Sequence, residues 1–116
     1  MKADLKWYLV KLVYQVVSDK GTHTPQFDEQ LRLIRADELD WAREKAKILG
    51  QIGAFSFMHH NNHEVNWKFI DVVDICELCD IEDGTQIYST REEPEDEPLN
   101  LSLINAKAQR VYDFTQ

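Results

Sequence analysis

The chain has 116 residues, of which 43% are hydrophobic and 29% are charged. A chain of this size and composition forms one globular domain, so wholesale disorder is excluded and neither a disulfide nor a metal is needed to build a core. The 13 Lys and Arg against 21 Asp and Glu give a formal net charge of −8. A field of this sign repels a phosphate backbone, so we expect no nucleic-acid partner.

The sequence also bears on the cellular compartment. No stretch approaches the roughly 20 consecutive apolar residues of a membrane-spanning helix, so we expect no membrane partner. The apolar run near the N-terminus is interrupted by Lys6, Lys11 and Gln15 and no small-residue cleavage site follows it, unlike a secretory signal. Two cysteines do not form a disulfide framework and favour a reducing compartment. A cytoplasmic location is the expectation.

Two strands are predicted at the start of the chain. Residues 6–17, "KWYLVKLVYQVV", are rich in β-branched and aromatic residues on both alternating faces, which is typical of a central strand. After a loop at 18–26, "FDEQLRLIRA" predicts a second strand with Arg32 on one face. The opposite face of that second strand carries Phe27, Leu31 and Leu33.

A helix follows in "DELDWAREKAKILGQIG". Asp37 has the character of an N-cap, and Gly50 or Gly53 is the expected end. The apolar stripe consists of Leu39, Ala42, Ala46 and Leu49, widened by Trp41, Ile48 and Ile52. This spacing predicts that the stripe faces the core.

Two hairpins are predicted after the helix. "AFSFM" and "EVNWKFIDVV" both alternate and are separated by the polar "HHNNH", which indicates a hairpin tip. "ICEL" and "TQIYS" flank "CDIEDG", whose Asp83-Gly84 pair favours a turn and hence a second hairpin.

The remaining residues complete the predicted architecture. The acidic, proline-bearing segment 91–98 indicates a linker after a single α+β domain at 1–90. Residues 99–116 carry apolar residues at helical spacing and predict an amphipathic helix that docks on the same chain or on a partner chain. We therefore expect an α+β fold with a mostly antiparallel sheet of about five strands, in the order ββαββββα or ββαβββα.

The His and Cys residues considered as metal or redox ligands lie in "MHHNNH" and "CELC". His59 and His63 could approach each other across a tight turn, whereas Cys76 and Cys79 are three apart in an apparent strand and would point to opposite faces. A mixed site would need the two hairpins to meet. The favoured interpretation is a solvated hairpin tip and two buried small apolar cysteines, with no metal, no cofactor and no catalytic residue assigned.

The order of segments resembles the uncharacterised bacterial family called domain of unknown function 4288. The resemblance covers about residues 6–90, and its most specific pieces are "PQFDEQLRLI", "WKFIDV" and "DGTQIYS". It implies a small bacterial α+β protein. It implies no activity, and therefore carries no functional residue over to this chain.

Two functions remain open from the sequence. The first is a non-enzymatic interaction or oligomerisation module that forms a homodimer or binds a protein partner through a sheet face or the C-terminal helix, as the two-sided apolar pattern of residues 6–17 suggests. The alternative is a protein that binds a small ligand or a metal in a pocket between sheet and helix. Its polar groups would be His63, Asp71 and Asp74, and it requires those side chains to converge.

Overall fold

In the part of the chain that the structure describes, one sheet combines with two helices in the chain order ββαββα. The computed structural model describes residues 4–18, 24, 26–58 and 64–115. The elements are β1 (Lys6–Ser18), β2 (Gln26–Ala36), α1 (Leu39–Ile52), β3 (Phe55–Met58), β4 (Glu64–Leu78) and α2 (Glu97–Thr115). The strands form one antiparallel sheet in the order β2-β1-β4-β3, which confirms the α+β class.

Strand β1 lies in the interior of the sheet, as its two-sided apolar pattern predicts. It pairs with β2 without interruption from Lys6 opposite Ala36 to Val16 opposite Gln26, and with β4 on its other side. We call the side covered by α1 the helix face; on β1 it consists of Tyr8, Val10, Leu12 and Tyr14, all buried. The opposite side of the sheet is the second face; on β1 it consists of Trp7, Leu9, Lys11 and Val13.

Helix α1 lies against the helix face through small residues. Ala42, Ala46 and Gly50, spaced by four, are its buried residues, whereas Ile48 and Ile52 are exposed. The expectation that the large apolar stripe faces the core was wrong in this respect. Small side chains let the helix backbone approach the sheet closely, so the larger aliphatics on the flank remain at the surface.

The C-terminal end of α1 is held to the sheet by Tyr14. Its hydroxyl donates a hydrogen bond of 2.8 Å to the carbonyl oxygen of Gly50. A Cβ atom at Gly50 would overlap the ring of Phe69, and one at Gly53 would overlap the Tyr14 hydroxyl. The helix therefore ends with glycines where the backbone meets aromatic side chains, and Gly53 is its C-cap residue.

The start of α1 differs from the expected cap. Glu38 occupies the N-cap position and makes no side-chain capping hydrogen bond. Asp37, predicted as the cap, lies one residue earlier and has a buried carboxylate oxygen, Oδ1, with no hydrogen-bond partner among the described atoms. The helix thus begins without the capping bond that its sequence suggests.

Over the described residues the sheet has four strands, because β4 is one continuous strand. It runs from Glu64 to Leu78 and includes "ICEL", with irregularities in its pairing to β1 at Ile70 and Val73. The predicted second hairpin was wrong, since residues 85–89 form no strand. The Asp83-Gly84 turn is present, with Gly84 at φ 87°, but it lies in a loop.

Helix α2 starts at Glu97, two residues before the expected boundary. The Asp96 side chain accepts a 3.0 Å hydrogen bond from the Leu99 backbone N–H, an N-cap interaction. Among the described elements, none packs extensively on α2, and its described side chains are exposed except Asn100, which is half-buried. No helix in the described part of the chain is long and apolar enough to cross a membrane. The predicted division into domain, linker and docking helix stays a prediction.

Candidate functional site

His59 and His63 lie outside the described residues, so a site that joins them to Cys76 and Cys79 stays a prediction. Within residues 4–18, 26–58 and 64–115, no group of three or more His, Cys, Asp or Glu side chains is arranged to hold a metal ion.

The two cysteines are exposed free thiols, so the prediction that they are buried was wrong. Cys76 lies near the end of β4 and Cys79 directly follows that strand. Both border a cavity of about 350 Å³ that also includes Asp74, Thr85 and Tyr88. In the described part of the chain, the loop that carries Thr85 and Tyr88 borders this end of the second face, and helix α1 lies on the opposite face.

That loop is held in shape by Thr85. Its hydroxyl donates to the Asp80 carbonyl oxygen at 3.0 Å and accepts from the Glu82 N–H at 2.9 Å. The Thr85 N–H in turn donates to the Glu82 carbonyl oxygen, which closes the turn containing Gly84. The closed turn directs the following residues back toward β1.

Tyr88 contacts Lys11 on the second face. The Lys11 ammonium lies 4.7 Å from the centre of the Tyr88 ring and 3.9 Å from a carboxylate oxygen of Glu29. A hydrogen bond with Tyr88 is the largest cause of the raised pKa of Lys11, and the charges of Glu29 and Asp74 also raise it. Lys11 is therefore a cation at neutral pH, which suits ion pairing and cation–π contact and not attack as a free amine.

Of the polar residues proposed for a ligand pocket, His63 lies outside the described residues, and Asp71 and Asp74 border different cavities. Asp74 borders the cavity beside Tyr88, whereas Asp71 borders a different cavity of about 400 Å³ with Lys47 and Gln51 of α1. The Asp71 and Asp74 carboxylates each accept a hydrogen bond from the N–H of the next residue. No pattern in the sequence predicts that Tyr88 contacts Lys11, because that contact depends on the path of a loop.

Tyr14 is held on the helix face by a buried hydrogen bond and by neighbouring aromatic rings. Burial raises its pKa, and its ring centre lies 5.6 Å from that of Phe69 and 6.0 Å from that of Trp67. Because its hydroxyl is committed to the Gly50 carbonyl oxygen, Tyr14 secures α1 on the sheet.

An apolar concave surface lies between α1 and the edge strand β2. A cavity of about 400 Å³ is bordered by Ile34 of β2 and by Lys45, Ile48, Leu49 and Ile52 of α1; we call it the α1–β2 groove. Ile48 and Ile52 are 55% and 75% exposed. The Lys45 ammonium hydrogen-bonds to the Arg35 carbonyl oxygen at the rim. The groove offers aliphatic contact to a partner and few polar groups that could orient a reacting molecule.

The comparisons with known proteins identify a family and no relative of known activity. No curated protein and no solved structure gives a significant match to the chain. The family model described as "Domain of unknown function (DUF4288)" matches residues 7–89, from β1 through the loop that carries Tyr88. The resemblance in the sequence is thereby confirmed, and the chain belongs to the DUF4288 family.

Proposed function

We propose that this protein is a non-enzymatic association domain that forms oligomers through apolar surface beside its sheet. The observation that carries the proposal is the α1–β2 groove, where Ile48 and Ile52 stand exposed on a helix whose small residues are the buried ones. Folded proteins in water rarely leave large contiguous apolar patches, and such patches mark interaction sites.

Helix α2 supports the same proposal. Its apolar residues include Leu99, Leu101, Leu103 and Ile104, each exposed by about half. Isolated helices are only marginally stable in water and are normally stabilised by tertiary packing. Because no described element packs extensively on α2, a surface on this chain or on a second copy would stabilise it.

Sedimentation equilibrium over a wide range of protein concentration tests the proposal. We expect a species of about twice the chain mass of 13.6 kDa, with its fraction rising with concentration. The double variant Ile48→Glu/Ile52→Glu removes the apolar lining and should lower the associated fraction. A chain that stays monomeric up to ~1 mM, a concentration at which even weak complexes form, would contradict the proposal.

A second candidate function is small-ligand binding beside the cysteines. The cavity of about 350 Å³ with Cys76, Cys79, Thr85 and Tyr88 is large enough for a small metabolite, and free thiols are ligands for zinc. A thermal-shift screen with zinc, a chelator and common metabolites tests it. A rise in Tm that disappears in Cys76→Ser/Cys79→Ser would support this function, and the absence of any shift would reject it for those probes. A cytoplasmic location and a bacterial origin remain proposals from the sequence.

A further inference from the structure

We propose that the outer edge of β2 pairs antiparallel with β2 of a second copy, so that two four-stranded sheets join into one, with the two-fold axis beside Gln30. The inference rests on the proposed association function and names its partner and its surface. It concerns backbone pairing at the sheet edge, which is a different contact from docking of α2.

Strand β2 is a long, regular strand at an edge of the sheet. Strand β2 has 11 residues, and among the described strands only β1 pairs with it. The β1–β2 register is unbroken along its length, whereas the irregularities of the sheet lie between β1 and β4. Strand β2 contains no proline. Long, regular edges of this kind present free N–H and C=O groups to another strand.

The helix face of β2 carries a regular charge pattern. The Gln30 amide nitrogen donates to Asp28 at 2.7 Å, and the Gln30 amide oxygen accepts from the Arg32 guanidinium at 2.9 Å and 3.1 Å. An acid, an amide and a base thus stand at successive positions on one face. Rotation of a second copy about Gln30 sets Arg32 opposite Asp28 of that copy, and it does so twice.

Three registers, centred on Glu29, Gln30 or Leu31, keep the two helix faces on the same side. A register centred on Leu31 sets Asp28 opposite the apolar Ile34, and one centred on Glu29 sets two carboxylates against each other. Like charges directly opposite each other destabilise a strand pair. The register centred on Gln30 alone among these three matches opposite charges, which is how side-chain pattern fixes register.

Apolar surface lies beside this edge on both faces of the sheet. In the same register Phe27 lies opposite Leu33 of the second copy on the second face, and these two residues are 63% and 52% exposed. On the helix face, the α1–β2 groove borders the edge through Ile34. Pairing therefore extends the apolar surface of both faces across the two-fold axis. The strand pairing ends at Ile34, because the carbonyl oxygen of the next residue, Arg35, already accepts a hydrogen bond from Lys45.

Charge reversal at the edge of the full chain tests the pairing. We expect Arg32→Glu and Asp28→Arg each to weaken the dimer at least about tenfold, because each variant turns two attractive pairs into repulsive ones. The double variant Asp28→Arg/Arg32→Glu restores opposite charges and should return the dissociation constant to within about threefold of the original. Lys68→Glu, an exposed charge reversal on β4, is the matched control and should leave it unchanged. Circular dichroism verifies that each variant is folded.

Hydrogen exchange of the unmodified chain gives an independent readout. Edge amides of β2 should become protected as protein concentration rises, while amides of α1 should not change. Dimerisation that survives both single reversals with no added protection in β2 would overturn the edge pairing. If Ile48→Glu/Ile52→Glu then abolished association, the association function would stand and only the surface assignment would fail. A chain that is monomeric throughout would overturn both.

Discussion

The two faces of the sheet share strands and hydrophobic pattern, yet they differ in what covers them. On the helix face, Val10 and Leu12 are fully buried under α1. On the second face, Leu9 is buried between β2 and β4, while Leu31 and Leu33 remain about half exposed. The apolar alternation along a strand therefore does not predict which face of the sheet the helix covers. The small residues of α1, which allow close approach, decide that side.

The largest expected effect contrasts the two faces directly. Leu12→Ala removes a fully buried side chain and should lower the free energy of unfolding by about 3 kcal/mol, because it leaves a cavity among packed neighbours. Leu33→Ala is the matched substitution on the second face and should cost under about 1 kcal/mol in the monomer. Urea denaturation at the lowest workable protein concentration measures both.

Equal losses at the two positions would contradict the comparison and would indicate that the second face is covered in solution. In that case the Leu33→Ala loss should grow with protein concentration, since a partner that binds only the folded chain adds stability by mass action. The concentration series therefore separates a covered face in the monomer from a covered face in an oligomer.

The close approach of α1 to the helix face gives the next effect. Gly50→Ala places a methyl group against the Phe69 ring and should destabilise the fold by about 1–2 kcal/mol, although alanine favours helix by about 1 kcal/mol. Gln51→Ala, at an exposed neighbouring position of α1, is the control and should be neutral or slightly stabilising. Urea denaturation measures each change.

A double-mutant cycle identifies the cause of that loss. Phe69→Leu shortens the side chain that a Cβ at Gly50 would meet, so Gly50→Ala should cost less in its presence than in the original chain. Additive effects of the two substitutions would show that the ring does not set the approach of the helix.

Much of the architecture could be predicted from the sequence, and the exceptions have a common physical origin. The central position of β1, the run of β2 and the location of α1 follow from local pattern. The continuation of β4 to Leu78 could not be read in the same way, because irregular pairing at Ile70 and Val73 shifts the register that alternation assumes. The predicted second hairpin does not form for the same reason, because β4 includes "ICEL", the first of the two strands that the hairpin needed.

The candidate sites were harder to predict than the fold. Cys76 and Cys79 resemble small apolar residues in sequence, and their exposure depends on how little of the second face the returning loop covers. The contact between Lys11 and Tyr88 likewise joins residues far apart in the chain. The wide apolar stripe of α1 was predicted to face the core, and its exposed part instead borders the α1–β2 groove.

The smallest effects concern Tyr14, which joins α1 to the helix face. Tyr14→Phe keeps the ring and removes the hydrogen bond to the Gly50 carbonyl oxygen, so we expect a loss of about 1 kcal/mol at neutral pH. Tyr88→Phe, a hydroxyl deletion on the second face, is the comparison and should cost less, because the hydrogen bond of Tyr88 with Lys11 is open to solvent whereas that of Tyr14 is buried. Urea denaturation compares the two, and a greater loss for Tyr88→Phe would contradict the role of Tyr14.

The same hydroxyl predicts a dependence on alkaline pH. Burial raises the pKa of Tyr14 above its ordinary value of 10.0, so the folded state favours the protonated phenol. Its contribution to stability is fully present below pH 10.0 and is lost as the pH rises through the folded-state pKa. The difference in unfolding free energy between the original chain and Tyr14→Phe should therefore shrink above that pH. Lys11, whose raised pKa affects the same range, is present in both chains and cancels in the difference. A difference that stays constant between about pH 8 and pH 11 would show that the Tyr14 hydroxyl is not held neutral against α1.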